Sequence, residues 1–150
     1  MIMCETFKNA VLATSEIETA YKLGLRALGK NSSKIHTQNT QDLNGSVDID
    51  AATKEKYPNE NRWDYCIGYK NQALFIEVHP GSSSEVGTML KKLDWLKKWL
   101  MYKAPEINSI KANKAFFWVT SGNVSLLKGS SQYRAAVSNN ILPQSSLNLK

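Results

Sequence analysis

The chain has 150 residues, 42% hydrophobic and 21% charged, which suits one domain with a real core and excludes wholesale disorder. No apolar run approaches the roughly eighteen residues a membrane helix needs, and two cysteines, Cys4 and Cys66, are too few for a disulfide scaffold or a four-cysteine zinc site. Nineteen Lys and Arg against thirteen Asp and Glu give +6, unevenly spread: no acid follows Glu106, so Lys111, Lys114, Lys128, Arg134 and Lys150 supply five of the six net charges. Such an excess suits a polyanionic partner and equally suits ordinary solubility.

The start, Met1-Ile2-Met3-Cys4-Glu5, has no basic stretch followed by an apolar one. It predicts no signal peptide and, with so few cysteines, a reduced, cytoplasmic protein. Ser15-Glu16-Ile17-Glu18 matches a capping box, and Ile17, Ala20, Tyr21, Gly24 and Leu28 follow at helical spacing. A helix is therefore predicted over about 15–28 with Gly29 as its stop; residues 4–12 form an earlier turn or extend it. Residues 30–45 are polar and aperiodic, a predicted loop. Ser46–Asp50 alternates like a strand, and 53–62 is a charged loop. Trp63–Tyr69 and Ala73–His79 form a predicted hairpin around Lys70-Asn71-Gln72. Pro80-Gly81 stops the second strand. Ser82–Glu85 offers another capping box for a helix over about 83–102, which must end before Pro105. A strand covers Ala115–Thr120 and ends at Gly122-Asn123. The Ser/Asn-rich remainder holds a short helix near 132–136 and an extended piece at 141–143. The order α-β-β-β-α-β predicts an α/β sandwich whose last crossover is long enough for a parallel return.

Carboxylates inside strands run against β propensity and call for a reason. Side chains alternate along a strand, so Asp64 shares a face with Cys66, and Phe75, Glu77 and His79 share another. Pairing Lys70 with Ala73 sets Asp64 opposite His79 and Cys66 opposite Glu77, all on one side of the sheet; an odd slip would send Asp64 to the other face. Two carboxylates and an imidazole converging at a strand end suit Mg²⁺ or Mn²⁺, ions that stabilise phosphate charge and orient water. Taken singly, Asp64 can cap a strand, Glu77 can make a salt bridge and His79 can end a strand. Together they point to a site, because Glu77 within Leu74-Phe75-Ile76-Glu77-Val78 needs a compensating partner. Cys66 beside it is a packed strand residue rather than a nucleophile, and His36 sits in a polar loop.

Asp64, twelve intervening residues, then Glu77-Val78-His79 resembles the signature of the PD-(D/E)XK nuclease superfamily. The resemblance covers residues 14–120 and implies a restriction-endonuclease-like αβββαβ core, a mixed central sheet flanked by helices. One domain over 1–150 would then carry a basic C-terminal extension at 121–150. It also implies that Asp64 and Glu77 bind Mg²⁺ (or Mn²⁺). His79 stands where the family has Lys, and the family sometimes moves that Lys to the following helix, where Lys91 and Lys92 lie. The family often adds an acid from its first helix; Glu16 and Glu18 are the nearest, with Glu18 already explained by the capping box. Asp48 and Asp50 share a face of the predicted first strand, and Asp50 could widen the metal site. His79 could instead serve as the general base.

Val86, Met89, Leu90, Leu93, Leu96 and Leu100 make a helical core stripe. Trp95 and Trp99 fall on the other side near Lys91, Lys92 and Lys98, and should be covered by the tail, by a second copy of the chain, or by nucleic acid stacking among lysines. The leading expectation is a metal-dependent phosphodiesterase acting on DNA or RNA, with Lys91, Lys92 and Lys98 on the backbone. Its rivals are a catalytically inactive nucleic-acid- or protein-binding module of the same fold, and a structural protein that dimerises through Trp95/Trp99.

Overall fold

In a computed structural model, which describes residues 5–150, the first helix is Thr6–Leu12 (α1). The expected chain start and Cys4 lie outside the described residues. The helix predicted over 15–28 does not form. Residues 15–19 are turns, and Gly24, inside the predicted span, takes φ of 51°, left-handed backbone that interrupts a right-handed helix. Lys22 instead exchanges both backbone hydrogen bonds with Ser46, at 2.9 Å each, which ties this segment to the sheet edge.

The predicted 30–45 loop is structured. A 3-10 segment, Arg26–Lys34, leads into strand β1 (Ile35–Thr37), and a 3-10 turn, Thr40–Asp42, leads into β2 (Leu43–Asp48). Strand β2 ends at Asp48 because the Asp48 carboxylate accepts the Ala51 N–H at 2.8 Å and caps helix α2 (Ile49–Thr53). Asp50 therefore sits on a helix, not on a strand face shared with Asp48.

Strands β3 (Tyr65–Tyr69) and β4 (Gln72–Ser82) form the expected hairpin in a different register. Lys70 and Asn71 take φ of 50° and 59°, the two-residue turn whose twist matches the flanking strands, so Tyr69 pairs with Gln72 rather than Lys70 with Ala73. Asn44 Oδ1 accepts the Asn71 N–H at 2.7 Å and the Asp42 carbonyl accepts the Lys70 N–H at 2.8 Å, which pins the turn. Cys66 now faces Phe75, and one further step along the same register sets Asp64 opposite Glu77. The slip is two residues, so the faces survive.

Pro80-Gly81 does not end β4. Strand β3 has no partner beyond Ile76, so Pro80 lies on an unpaired edge and at an irregularity between His79 and Gly81, where its missing N–H costs no ladder bond. A 3-10 turn, Ser83–Glu85, precedes the long helix α3 (Val86–Tyr102). Pro105 opens a short helix, α4 (Pro105–Ser109), as its first residue. Strand β5 (Lys111–Ser125) outruns its predicted limits at both ends. Helix α5 (Ser131–Ser138) is capped by Ser130 Oγ, which accepts the Tyr133 N–H at 3.0 Å; β6 (Pro143–Gln144) and β7 (Leu147–Leu149) follow.

The fold is mixed α/β. Its five-stranded sheet runs β2-β3-β4-β5-β6, antiparallel from β2 to β4 and parallel from β4 to β6, and β1 and β7 form a separate parallel pair. The β4-α3-β5 crossover is the expected parallel return. The C-terminal residues are built in: β6 extends the main sheet and β7 pairs with β1, so the expected basic arm is not a loose appendage. One sheet face carries Val47, Cys66, Phe75 and Trp118 under α1, α3, α4 and α5. The other carries Ile67, Leu74, Ile76 and Val119 under Leu28, Ile35, Leu147 and Leu149. Among the described residues no helix is long and apolar enough to cross a membrane.

Candidate functional site

Phe75, Glu77 and His79 alternate onto the face that meets α3, and Glu77 is 1% exposed there. Asp64 arrives on the same side from the residue just before β3. Each carboxylate takes a backbone N–H from the other strand: Asp64 N–H donates to Glu77 Oε1 at 2.9 Å, and Val78 N–H donates to Asp64 Oδ2 at 3.0 Å. These bonds replace the backbone ladder where β3 and β4 part. The Asp64 carbonyl also accepts the Ile49 N–H at 2.8 Å, which docks the start of α2 beside the pair.

Helix α3 supplies the cation. Lys92 Nζ lies 2.6 Å from Glu77 Oε2 and also donates to the Arg62 carbonyl at 3.2 Å. Of the two lysines singled out in the sequence, Lys92 reaches the acids and Lys91 is exposed on the helix's outer side. The choice follows from helical phase: Lys92 is three residues from Met89 and four from Leu96, both buried against the sheet, so it flanks the inward stripe.

His79 is held from two sides, with Nε2 2.6 Å from Glu85 Oε1 and Nδ1 3.6 Å from Glu77 Oε2. The Glu77 contact raises the His79 pKa above its ordinary value, burial opposes it, and Glu85 adds to the rise. Glu85 was missed in the sequence because the capping-box pattern already accounted for it; its carboxylate goes to His79, and Ser82 makes no side-chain cap. Burial, reinforced by Glu77, pushes Asp64 up to about 7, with the Val78 N–H and Lys92 pulling the other way. The site is thus a carboxylate pair at close quarters, incompletely neutralised by one ammonium.

The remaining expected residues lie around this centre. Asp50 does not join the pair: Arg62 Nε holds its Oδ1 at 2.7 Å, and Arg62 was not anticipated. Among the described residues no group of three or more His, Cys, Asp or Glu side chains is arranged to hold a metal, so the wider set with Asp50 is not assembled. Glu16 is engaged elsewhere: Oε1 accepts Trp99 Nε1–H at 3.0 Å, while Oε2 accepts the Tyr57 hydroxyl at 3.0 Å and pairs with Lys56 at 3.1 Å. Burial alone would raise the Glu16 carboxyl, but these bonds outweigh it and hold the group below its usual value. Glu18 is exposed. Lys98 is exposed and pairs with Asp94 at 3.0 Å. Cys66 is fully buried, and burial pushes its thiol far up, which removes it as a nucleophile.

Trp95 and Trp99 are not on an open face. They stack on each other at 5.8 Å, 9% and 3% exposed, with Tyr57 edge-on to Trp95 at 5.7 Å. Glu16 and Tyr57 of this chain contact the pair, and both tryptophans are buried within the chain.

Carboxylates are the donor type Mg²⁺ takes, and here Glu77 already has both oxygens engaged, Oε1 by the Asp64 N–H and Oε2 by Lys92. Two hard carboxylates converge, Asp64 Oδ1 takes no hydrogen bond among the described residues, and the lifted Asp64 pKa marks a place where added positive charge is favourable. Mg²⁺ is commonly held by one or two carboxylates with waters and substrate phosphate, so a third protein ligand is not required. No protein-family model, curated protein or solved structure matches this chain.

Proposed function

We propose that the protein is a metal-dependent phosphodiesterase acting on DNA or RNA, with a restriction-endonuclease-like arrangement of the PD-(D/E)XK type and a cytoplasmic location. The observation that carries this is the reciprocal Asp64–Glu77 pair where β3 and β4 diverge, with Lys92 of the next helix on Glu77 at 2.6 Å. The meander, crossover helix and parallel return that frame it support the same reading.

Asp64 and Glu77 would hold Mg²⁺ or Mn²⁺. When bound, the ion supplies charge stabilisation at the phosphate and lowers the pKa of a water. Lys92 pairs with Glu77 at 2.6 Å and presents an ammonium beside the developing charge, the place of the family's lysine. Glu85 accepts a hydrogen bond from Nε2–H of neutral His79, which would leave Nδ1 as the ring's acceptor. There it can take a proton from the attacking water. Lys92 also bridges to the Arg62 carbonyl, so the loop before Asp64 and helix α3 are positioned together.

A second reading is favoured by one feature: Lys92 already neutralises Glu77 without an ion, as it would in a non-catalytic module of the same fold. Incubation with plasmid, single-stranded DNA and RNA in Mg²⁺ or Mn²⁺ separates the two. Cleavage that EDTA, Asp64→Asn and Glu77→Gln each abolish, in variants that keep the native circular dichroism spectrum, is expected. Cleavage indifferent to Glu77→Gln, or none on any substrate with either ion, refutes the proposal.

A further inference from the structure

Between α3 and residues 57–61 lies an open groove of about 690 Å³. Its walls are aromatic: Tyr57, Trp95 and Trp99 on the inside and Tyr102, 73% exposed, at the mouth. Three ammonium groups, Lys91, Lys98 and Lys103, stand around it, and Asn59 and Asn61 add amides that both donate and accept. Two acids also line it; Asp94 is paired with Lys98, and Glu60 is exposed. The lining therefore carries a net positive charge.

The aromatic side is set in place by a half-buried carboxylate. Glu16 bonds Trp99 Nε1 and the Tyr57 hydroxyl at 3.0 Å each, which fixes both rings and, through the Trp95–Trp99 stack, the inner wall. The Glu16–Tyr57 bond and burial raise the Tyr57 hydroxyl to about 12, so it remains a hydrogen-bond donor. An acid placed this way prepares the groove instead of serving the chemistry.

An exposed Tyr102 ring among lysines, with amides at hand, suits an unpaired nucleobase carried on a phosphate backbone. A duplex keeps its base faces stacked and could not use the walls. We infer that this groove binds single-stranded nucleic acid, taking a base against Tyr102 and the adjoining phosphates on Lys91 and Lys103. The inference rests on the phosphodiesterase reading for its choice of substrate class, and it sharpens that class to single strands.

The test separates the two. In EDTA, where no metal-dependent cleavage occurs, the full chain is titrated with a short fluorescein-labelled oligothymidylate and with the same sequence as a duplex, following anisotropy and tryptophan emission. Expected are preference for the single strand, quenching of tryptophan emission, and weakening with salt. Tyr102→Ala and Lys91→Glu, both at exposed positions, should each weaken binding about tenfold, the loss of one stacking or one phosphate contact. Glu77→Gln should leave binding intact. Absence of single-strand binding at about 100 μM, the weak end of sequence-independent binding, overturns the inference. So does binding indifferent to Tyr102→Ala and Lys91→Glu, or equal affinity for the duplex. Binding without any cleavage in Mg²⁺ sinks the phosphodiesterase reading and leaves the groove standing.

Discussion

Replacing Lys92 by Met should destabilise the protein more than removing the whole ion pair. Glu77 is 1% exposed and Lys92 Nζ lies 2.6 Å from it, so the single change leaves a buried carboxylate beside Asp64 with its ammonium gone. Breaking a buried pair by removing one partner costs about 3–5 kcal/mol, and Met keeps the apolar stem that packs along α3. His79 Nδ1 at 3.6 Å can take over part of the compensation when protonated, which sets the expectation near the lower bound, about 3 kcal/mol. For a chain of this size that is a Tm lower by roughly 10 °C. Adding Glu77→Gln removes the stranded charge, so the double variant should be more stable than Lys92→Met alone. Urea and thermal denaturation in EDTA measure both. A Lys92→Met variant within about 1 kcal/mol of the parent, or a double variant as unstable as the two single losses added, would refute the claim that Lys92 compensates Glu77.

The apo protein should lose stability as pH rises from about 4 to 7. Burial and Glu77 lift folded Asp64 to about 7 from 3.8, so over that window the unfolded chain has released a proton that the folded one keeps. The effect is at most on the order of 4 kcal/mol, and Asp64→Asn should flatten it in denaturation curves taken across pH. Glu16 has the opposite sign: its carboxyl is held low, so its contribution is present above the unfolded pKa and fades as pH falls through the lower folded one. Glu16→Gln should cost about 1–2 kcal/mol and shift tryptophan emission as the Trp99 and Tyr57 bonds weaken; unchanged emission would count against its positioning role. Gly68→Ala should cost about 1–3 kcal/mol by chemical denaturation, because a Cβ there would sit 2.4 Å from Cγ of the buried Phe7 ring.

The parts of the fold that the sequence made legible are those where a period and a boundary agree. Helix α3 was visible from Val86 to Leu100 because its apolar stripe recurs with helical spacing, and the three-residue error at its start is a 3-10 turn. The β3–β4 hairpin was visible because two β-rich runs flank a polar turn. The helix predicted over 15–28 failed because a local pattern competed with a distant one: Ile17 is buried as a helix would bury it, but Lys22 pairs with Ser46 and Gly24 takes a left-handed conformation. Strand β1 could not be seen at all, since Ile35–Thr37 gains its partner only from Leu147–Leu149 at the far end of the chain.

The acid pair survived an incorrect register for a reason specific to sheets. Side-chain faces depend on parity, so a two-residue slip moved Asp64 from His79 to Glu77 and left both acids on the α3 side. The correction strengthened the cluster, because the carboxylates now exchange backbone hydrogen bonds instead of merely sharing a face. The cation followed a different logic. Lys91 and Lys92 are adjacent letters, and only the phase of Met89 and Leu96 distinguishes the one that turns toward Glu77 from the one that turns toward the groove. Helix α3 thereby serves two surfaces at once: through Lys92 it pairs with Glu77, and through Lys91, Trp95 and Tyr102 it lines the groove. Motion or substitution that rotates this helix would have to disturb both together.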